Sequence, residues 1–296
     1  MYPNVIIAGA PKCGTSSLFS WLSEHPEVCV SSRKETRYFM DPGHPLFDPE
    51  ANFSNAGLAG YARFFTPCIG RDIRVVLEAT PGYIDQETAV RGIPGIEPRP
   101  LIIFVLRKPS ERIYSAFQYA KNNLALLPKE MSFREFIAVR ENGGGDPACL
   151  TLRRLAFSTT SYAEHLAKWI AAAGRANIRI FLFEDLKQDQ VAFMRRLSRC
   201  IGIAAGFWDT HAFTAVNASW RTKSPVLHRL ARRVMAAAPA FPGKGALIKA
   251  YALVNTEKPC GPAPEDLSAR AGLDELFRPM IEELETIAAI DLSCWK

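Results

Sequence analysis

Near the start of the chain the apolar run Val5-Ile6-Ile7-Ala8 breaks directly into Gly9-Ala10-Pro11-Lys12-Cys13-Gly14-Thr15-Ser16-Ser17. An uninterrupted apolar run of this kind suits a strand of a parallel sheet covered on both faces. Parallel strands need a crossover, usually a helix, so the fold must be layered α/β. The turn between the first strand and its helix carries two glycines with a lysine between them and hydroxyls after them. Main-chain N–H groups at such a helix N-terminus point at an anion, the helix dipole favours negative charge, and Lys12 adds a point charge. This is a phosphate cradle, but not the common nucleotide one. The pattern G-x-x-x-x-G-K-[ST] places its lysine after the second glycine. Here Thr15 holds that place and the lysine precedes Gly14. No acidic strand of the Walker-B kind accompanies it.

Further runs alternate in the same way. Strands are expected at 73–77, 101–106 and 178–183, and helices at 15–23, 110–121, 162–172, 191–201 and 272–289. The fold class is therefore α/β, a three-layer sandwich around a mostly parallel sheet. Residues 41–59 and 142–147 read as long loops. The whole chain, 1–296, is expected to form one domain. Its α/β core covers 1–202 and a helical, basic portion covers 203–296.

Composition narrows the partners. With 48% hydrophobic and 22% charged residues in 296, the chain can bury a sizeable core. A net charge of +6 favours an anionic ligand. No apolar run approaches the ~20 residues a membrane helix needs, so no transmembrane segment is expected. The first residues lack the basic region of a secretory signal. The seven cysteines include no C-x-x-C pair, which argues against zinc and against a disulfide framework. Their odd number fits a reducing cytoplasm. No ligand cluster for a metal is seen, and nothing marks an oligomeric state.

Four segments, in order, resemble one family. Pro11-Lys12-Cys13-Gly14-Thr15-Ser16-Ser17 resembles the 5′-phosphosulfate loop of sulfotransferases that use 3′-phosphoadenylyl sulfate (PAPS), most nearly the heparan sulfate sulfotransferases and their bacterial relatives. The resemblance implies that Lys12 bears on the phosphosulfate. It also implies that the amides and hydroxyls of Gly14, Thr15, Ser16 and Ser17 hold the 5′ phosphate. Arg107-Lys108-Pro109-Ser110-Glu111-Arg112-Ile113-Tyr114-Ser115 is similar to the segment whose first Arg and last Ser hold the 3′-phosphate, here Arg107 and Ser115. An Arg fork suits a phosphate on chemical grounds alone. Arg112 is expected in a structural contact.

The segment Lys34-Glu35-Thr36-Arg37-Tyr38-Phe39 resembles the family's K-E-x-x-[FY]-F, which implies Glu35 as catalytic base. An acceptor hydroxyl or amine must lose a proton as it attacks sulfur, and a nearby carboxylate can take it. Lys34 and Arg37 flank Glu35 with positive charge. Glu78-Ala79-Thr80-Pro81-Gly82-Tyr83 resembles E-K-[ST]-P-x-Y, with Ala79 in place of the lysine. Glu78 is the second candidate base. Arg221 and Lys223 fall where relatives carry a cofactor-gripping loop. His165 is expected as a packed histidine within Y-x-x-H-L-x-x-W.

The implied reaction moves a sulfuryl group from PAPS to a small-molecule, lipid or carbohydrate acceptor and leaves 3′,5′-ADP. It needs no metal and no nucleic acid. Tyr38, Phe39, Phe47, Phe53, Tyr83, Phe117 and Tyr119 would line an apolar acceptor pocket or belong to the core. Two other readings compete: a P-loop kinase or NTPase, and a non-enzymatic binder of polyanions or nucleic acid.

Overall fold

The structure is a computed structural model. It describes residues 1–139, 146–214, 221–222, 224, 227, 231, 251, 254–257 and 263–296. The chain divides into two compact units. The first comprises Met1–Lys108, Ser161–Asn217 and Phe277–Lys296, and the second Pro109–Thr160 and Ala218–Leu276.

The first unit holds a five-stranded sheet of β1 (Val5–Gly9), β2 (Val28–Val30), β3 (Val75–Ala79), β4 (Leu101–Leu106) and β5 (Ile178–Leu182). Its order is β2-β3-β1-β4-β5, and every pairing is parallel. Helices α1 (Thr15–Glu24), α2 (Phe53–Tyr61) and α3 (Glu87–Gly92) lie between the early strands in sequence. Later come α7 (Tyr162–Ala173), α8 (Phe183–Gln188) and α9 (Gln190–Ile201). Between them in sequence, the second unit supplies α4 (Pro109–Gln118), α5 (Phe133–Ala138) and α6 (Pro147–Ser158).

Register shows the layering. Phe104 pairs with Ile180 and Val105 with Phe181, so Phe104 and Phe181 point to opposite faces. Trp169 of α7 packs on Phe104, with ring centroids 5.5 Å apart, and its indole N–H donates to the Ile84 carbonyl. Phe193 of α9 packs on Phe181 at 5.3 Å. Helices thus cover both faces, and β1 is buried at every residue. The expected α/β sandwich is the fold.

In the second unit, Ser132 and Glu135 form a reciprocal capping box at the start of α5. Asp146 caps α6. Arg112 is buried and donates to the Thr160 hydroxyl and the Ala156 carbonyl. The last long helix, α10 (Pro264–Ala288), begins eight residues before its expected start at 272. Among the described residues no helix is long and apolar enough to cross a membrane.

Two expectations need correction. Helix α2 starts inside the segment read as loop, because Asn52 accepts from the Asn55 amide and caps it. The cysteines are not all unpaired: Cys29 of β2 and Cys68 form a disulfide, with Cα atoms 5.7 Å apart. The two are 39 residues apart in sequence, and only the packing of a 3₁₀ turn (Ala62–Cys68) beside β2 brings them together. Sequence spacing carries no trace of that. The glycine-rich part of the 142–147 loop lies outside the described residues.

Candidate functional site

In an open parallel sheet, ligands collect beyond the carboxyl ends of the strands, where successive connections leave in opposite directions. Here that point lies between β1, whose chain goes next to β2, and β4 on its other side. The loop after β1 and Arg107 after β4 both sit there.

The loop is held in an uncommon shape. Lys12 has φ +71° and Gly14 φ +82°, both left-handed. A non-glycine residue in that region is strained and persists only where its surroundings enforce it. Gly14 is the N-cap of α1 and brings no side chain to it, and no acidic residue stands in the first turn. Lys12 and Ser16 are partly exposed, whereas Cys13, Thr15 and Ser17 are buried. Lys12 and Ser16 therefore offer side chains outward, and the buried three shape the turn.

Arg107 closes the other side. Its Nη1 donates to the Lys12 carbonyl at 3.4 Å, and its Cζ lies 4.8 Å over the Phe183 ring. Tyr162 donates from its hydroxyl to the Arg107 carbonyl at 3.1 Å. The next amide, Lys108 N–H, donates to Glu184 Oε1 at 3.0 Å, and Glu184 Oε2 is buried without a hydrogen-bond partner. Burial lowers the Arg107 pKa, while the neighbouring Cys13, Glu184 and Tyr162 oppose that. Arginine still keeps its charge, since its ordinary value is so high. Phe183 also backs the loop: a Cβ added at Gly14 would meet its ring at 2.9 Å. The carboxyl ends of β1, β4 and β5 thus converge on one cationic niche.

Glu35 and Glu78 lie elsewhere in the same unit and differ sharply. Glu35 is partly exposed, has φ +59°, and pairs with Lys34 Nζ at 2.5 Å and Arg37 Nη2 at 3.5 Å. Both flanking cations do turn toward it. Glu78, on β3, is fully buried. Its Oε1 accepts from the Thr80 hydroxyl (2.5 Å), the Thr36 hydroxyl (3.2 Å) and the Thr36 amide (3.4 Å). Burial pushes its pKa up to about 7, against the pull of those bonds, and Glu35 pushes the same way. Its Oε2 is buried with no partner.

Ser115 lies on α4 in the second unit. The main chain of Arg221 pairs with Glu257 in a two-residue ladder, and Lys223 lies outside the described residues. His165 is buried on α7, as expected. Tyr38, Phe39, Tyr83 and Phe117 are buried and belong to the core; Tyr38, Phe39 and Tyr83 pack with Tyr61, Phe64 and Phe65. Phe183 and Glu184 are not among the candidates read from the sequence. The available signal was an aromatic–acid pair placed immediately after a strand.

A family model described as "Sulfotransferase domain" matches residues 92–222. The mouse bifunctional heparan sulfate N-deacetylase/N-sulfotransferase 4 is 23% identical over 212 residues, covering 72% of this chain and 24% of the mouse protein. A Caenorhabditis briggsae protein, bifunctional heparan sulfate N-deacetylase/N-sulfotransferase 1, is 24% identical over 211 residues, covering 71% and 24%. The chain thus spans about a quarter of the length of these curated relatives. The crystal structure of a sulfotransferase from Alicyclobacillus acidocaldarius shares the fold, with a TM-score of 0.66, 22% identity, and coverage of 100% of this chain and 99% of that one.

Proposed function

We propose that the chain is a sulfotransferase that transfers a sulfuryl group from PAPS to a hydroxyl or amine. One observation carries the reading: Arg107 bonded to the carbonyl of Lys12 at the sheet's switch point, beside a helix start whose N-cap is a glycine. That niche suits a doubly anionic nucleotide. Strained main chain at Lys12 and a glycine with no room for a Cβ are what a loop built around a ligand would show.

When bound, PAPS supplies an activated sulfuryl group and departs as 3′,5′-ADP. Each residue then has a defined task. Lys12 places an ammonium where negative charge gathers on the departing side. The loop from Gly14 to Ser17 presents amides and the Ser16 hydroxyl to a phosphate. Arg107, with its Cζ over the Phe183 ring, offers its fork to a second phosphate. Glu35 takes the proton of the acceptor, because it alone of the two carboxylates reaches solvent. Lys34 and Arg37 keep its side chain oriented.

The acceptor is a small molecule or a carbohydrate. The relatives named for heparan sulfate N-sulfation support a glycan. Ala79, buried where some glycan-modifying relatives carry a lysine, removes one polar contact to it. Titration calorimetry with 3′,5′-ADP tests the donor site: saturable heat is expected, and neither heat nor thermal protection would overturn it. An acceptor screen with PAPS, scored by the mass of an added sulfuryl group, then identifies the partner.

A further inference from the structure

The strongest feature outside the donor niche is a run of main-chain bonds. Five successive amides, from Glu35 to Phe39, are all taken by residues 78–83. Glu35 N–H donates to the Ala79 carbonyl at 3.2 Å, Thr36 N–H to Glu78 Oε1 at 3.4 Å, and Arg37 N–H to the Thr80 hydroxyl at 3.3 Å. Tyr38 N–H and Phe39 N–H both donate to the Tyr83 hydroxyl oxygen, at 3.0 and 3.4 Å. Two of the residues so held, Glu35 and Arg37, are left-handed, with φ +59° and +58°.

The acceptors support one another. Tyr83 and Thr36 share a hydroxyl–hydroxyl bond of 2.9 Å. Thr36 and Thr80 both donate onward to Glu78 Oε1. With Tyr83 donating to Thr36, one consistent proton order runs from Tyr83 through Thr36 to Glu78. All three bonds at Glu78 fall on Oε1, so a proton on this carboxyl belongs on the unpartnered Oε2. The cradle therefore survives in either charge state.

Unassisted, a glutamate would leave the left-handed region, and its carboxylate would swing away with the main chain. We propose that Glu78, Thr80 and Tyr83 are positioning residues that act through four of these five amides, beside the Ala79 carbonyl that takes the fifth, to aim Glu35 at the acceptor. The inference rests on the reading of Glu35 as base and assigns Glu78 a role other than proton acceptor from substrate.

Thr80→Val and Tyr83→Phe each remove a hydroxyl acceptor and keep the side-chain shape. Amide hydrogen exchange at residues 35–39 should quicken at least tenfold in both, with β1 still protected; Thr80→Ser should restore protection. With PAPS and the acceptor found by the screen, Thr80→Val should lower kcat about 10²-fold, the scale of a misplaced catalytic group, with KM for PAPS unchanged. In a Glu35→Gln background Thr80→Val should cost nothing further. Unchanged exchange at 35–39, or losses that multiply in the double variant, would overturn the proposal. If the wild type binds no 3′,5′-ADP, the functional reading fails by itself, while exchange still decides whether the cradle holds Glu35.

Discussion

Arg107 and Lys12 are 95 residues apart in sequence, yet the Arg107 guanidinium donates to the Lys12 main-chain carbonyl. The bond joins the ends of two adjacent central strands. Replacing Arg107 with alanine should weaken 3′,5′-ADP binding by about 10- to 100-fold, the worth of hydrogen bonds to a charged group. Calorimetry reads this directly, and unchanged affinity would remove Arg107 from the site.

Lys12→Ala and Glu35→Gln separate two halves of the chemistry. Lys12→Ala should reduce turnover by roughly 10²–10³, as loss of an electrostatic stabiliser does. Glu35→Gln should cost about 10²–10⁴, with 3′,5′-ADP affinity retained. Glu35→Gln at near-wild-type rate would send the role of base back to Glu78.

Gly14 is irreplaceable for two reasons, its φ of +82° and the Phe183 ring 2.9 Å from where a Cβ would stand. Gly14→Ala should destabilise the protein by about 1–3 kcal/mol, the range of core overpacking. Gly43 has φ +87° but nothing within 4 Å, so Gly43→Ala isolates the cost of backbone conformation. Equal losses in urea denaturation would show that Phe183 yields.

Glu78 makes stability depend on pH with a definite sign. Its carboxyl titrates near 4.5 when unfolded and at about 7 when folded. Between those values the folded state holds more protons, so stability falls as pH rises and is flat above the upper one. A shift of that size corresponds to about 3 kcal/mol. Denaturation midpoints at pH 5 and pH 8 should differ in the wild type and converge in Glu78→Gln. A wild type equally stable at both would contradict the burial of this charge.

The Cys29–Cys68 bond closes a loop of 39 residues. In the chain-entropy account, opening such a loop costs about 4 kcal/mol. Dithiothreitol or Cys29→Ser should lower the denaturation midpoint accordingly, and a compartment that keeps thiols reduced would withhold this stabilisation. No shift on reduction would show the pair unbonded in solution.

The sequence made legible those parts whose signal is local. The Gly9–Gly14 spacing after a strand announced the loop, and six apolar residues at 101–106 announced β4 with Arg107 at its end. Other parts depend on tertiary contact. The three-residue β2 is too short for any period, and the disulfide depends on a turn packing beside it. An aromatic such as Tyr83 reads alike as core or pocket until its surroundings are seen; it is core, and its hydroxyl collects two amides. Glu35 and Glu78 look equivalent as letters, and only burial tells them apart.

Strand order also bears on how such a protein can diverge. The proposed donor grip hangs from β1 and β4, while the segment bearing Glu35 follows the edge strand β2, with β3 between them. On that proposal, drift at the β2 margin can retune acceptor preference while β1 and β4 stay fixed. New substrate ranges in such a lineage are therefore expected to accumulate along the β2 side first.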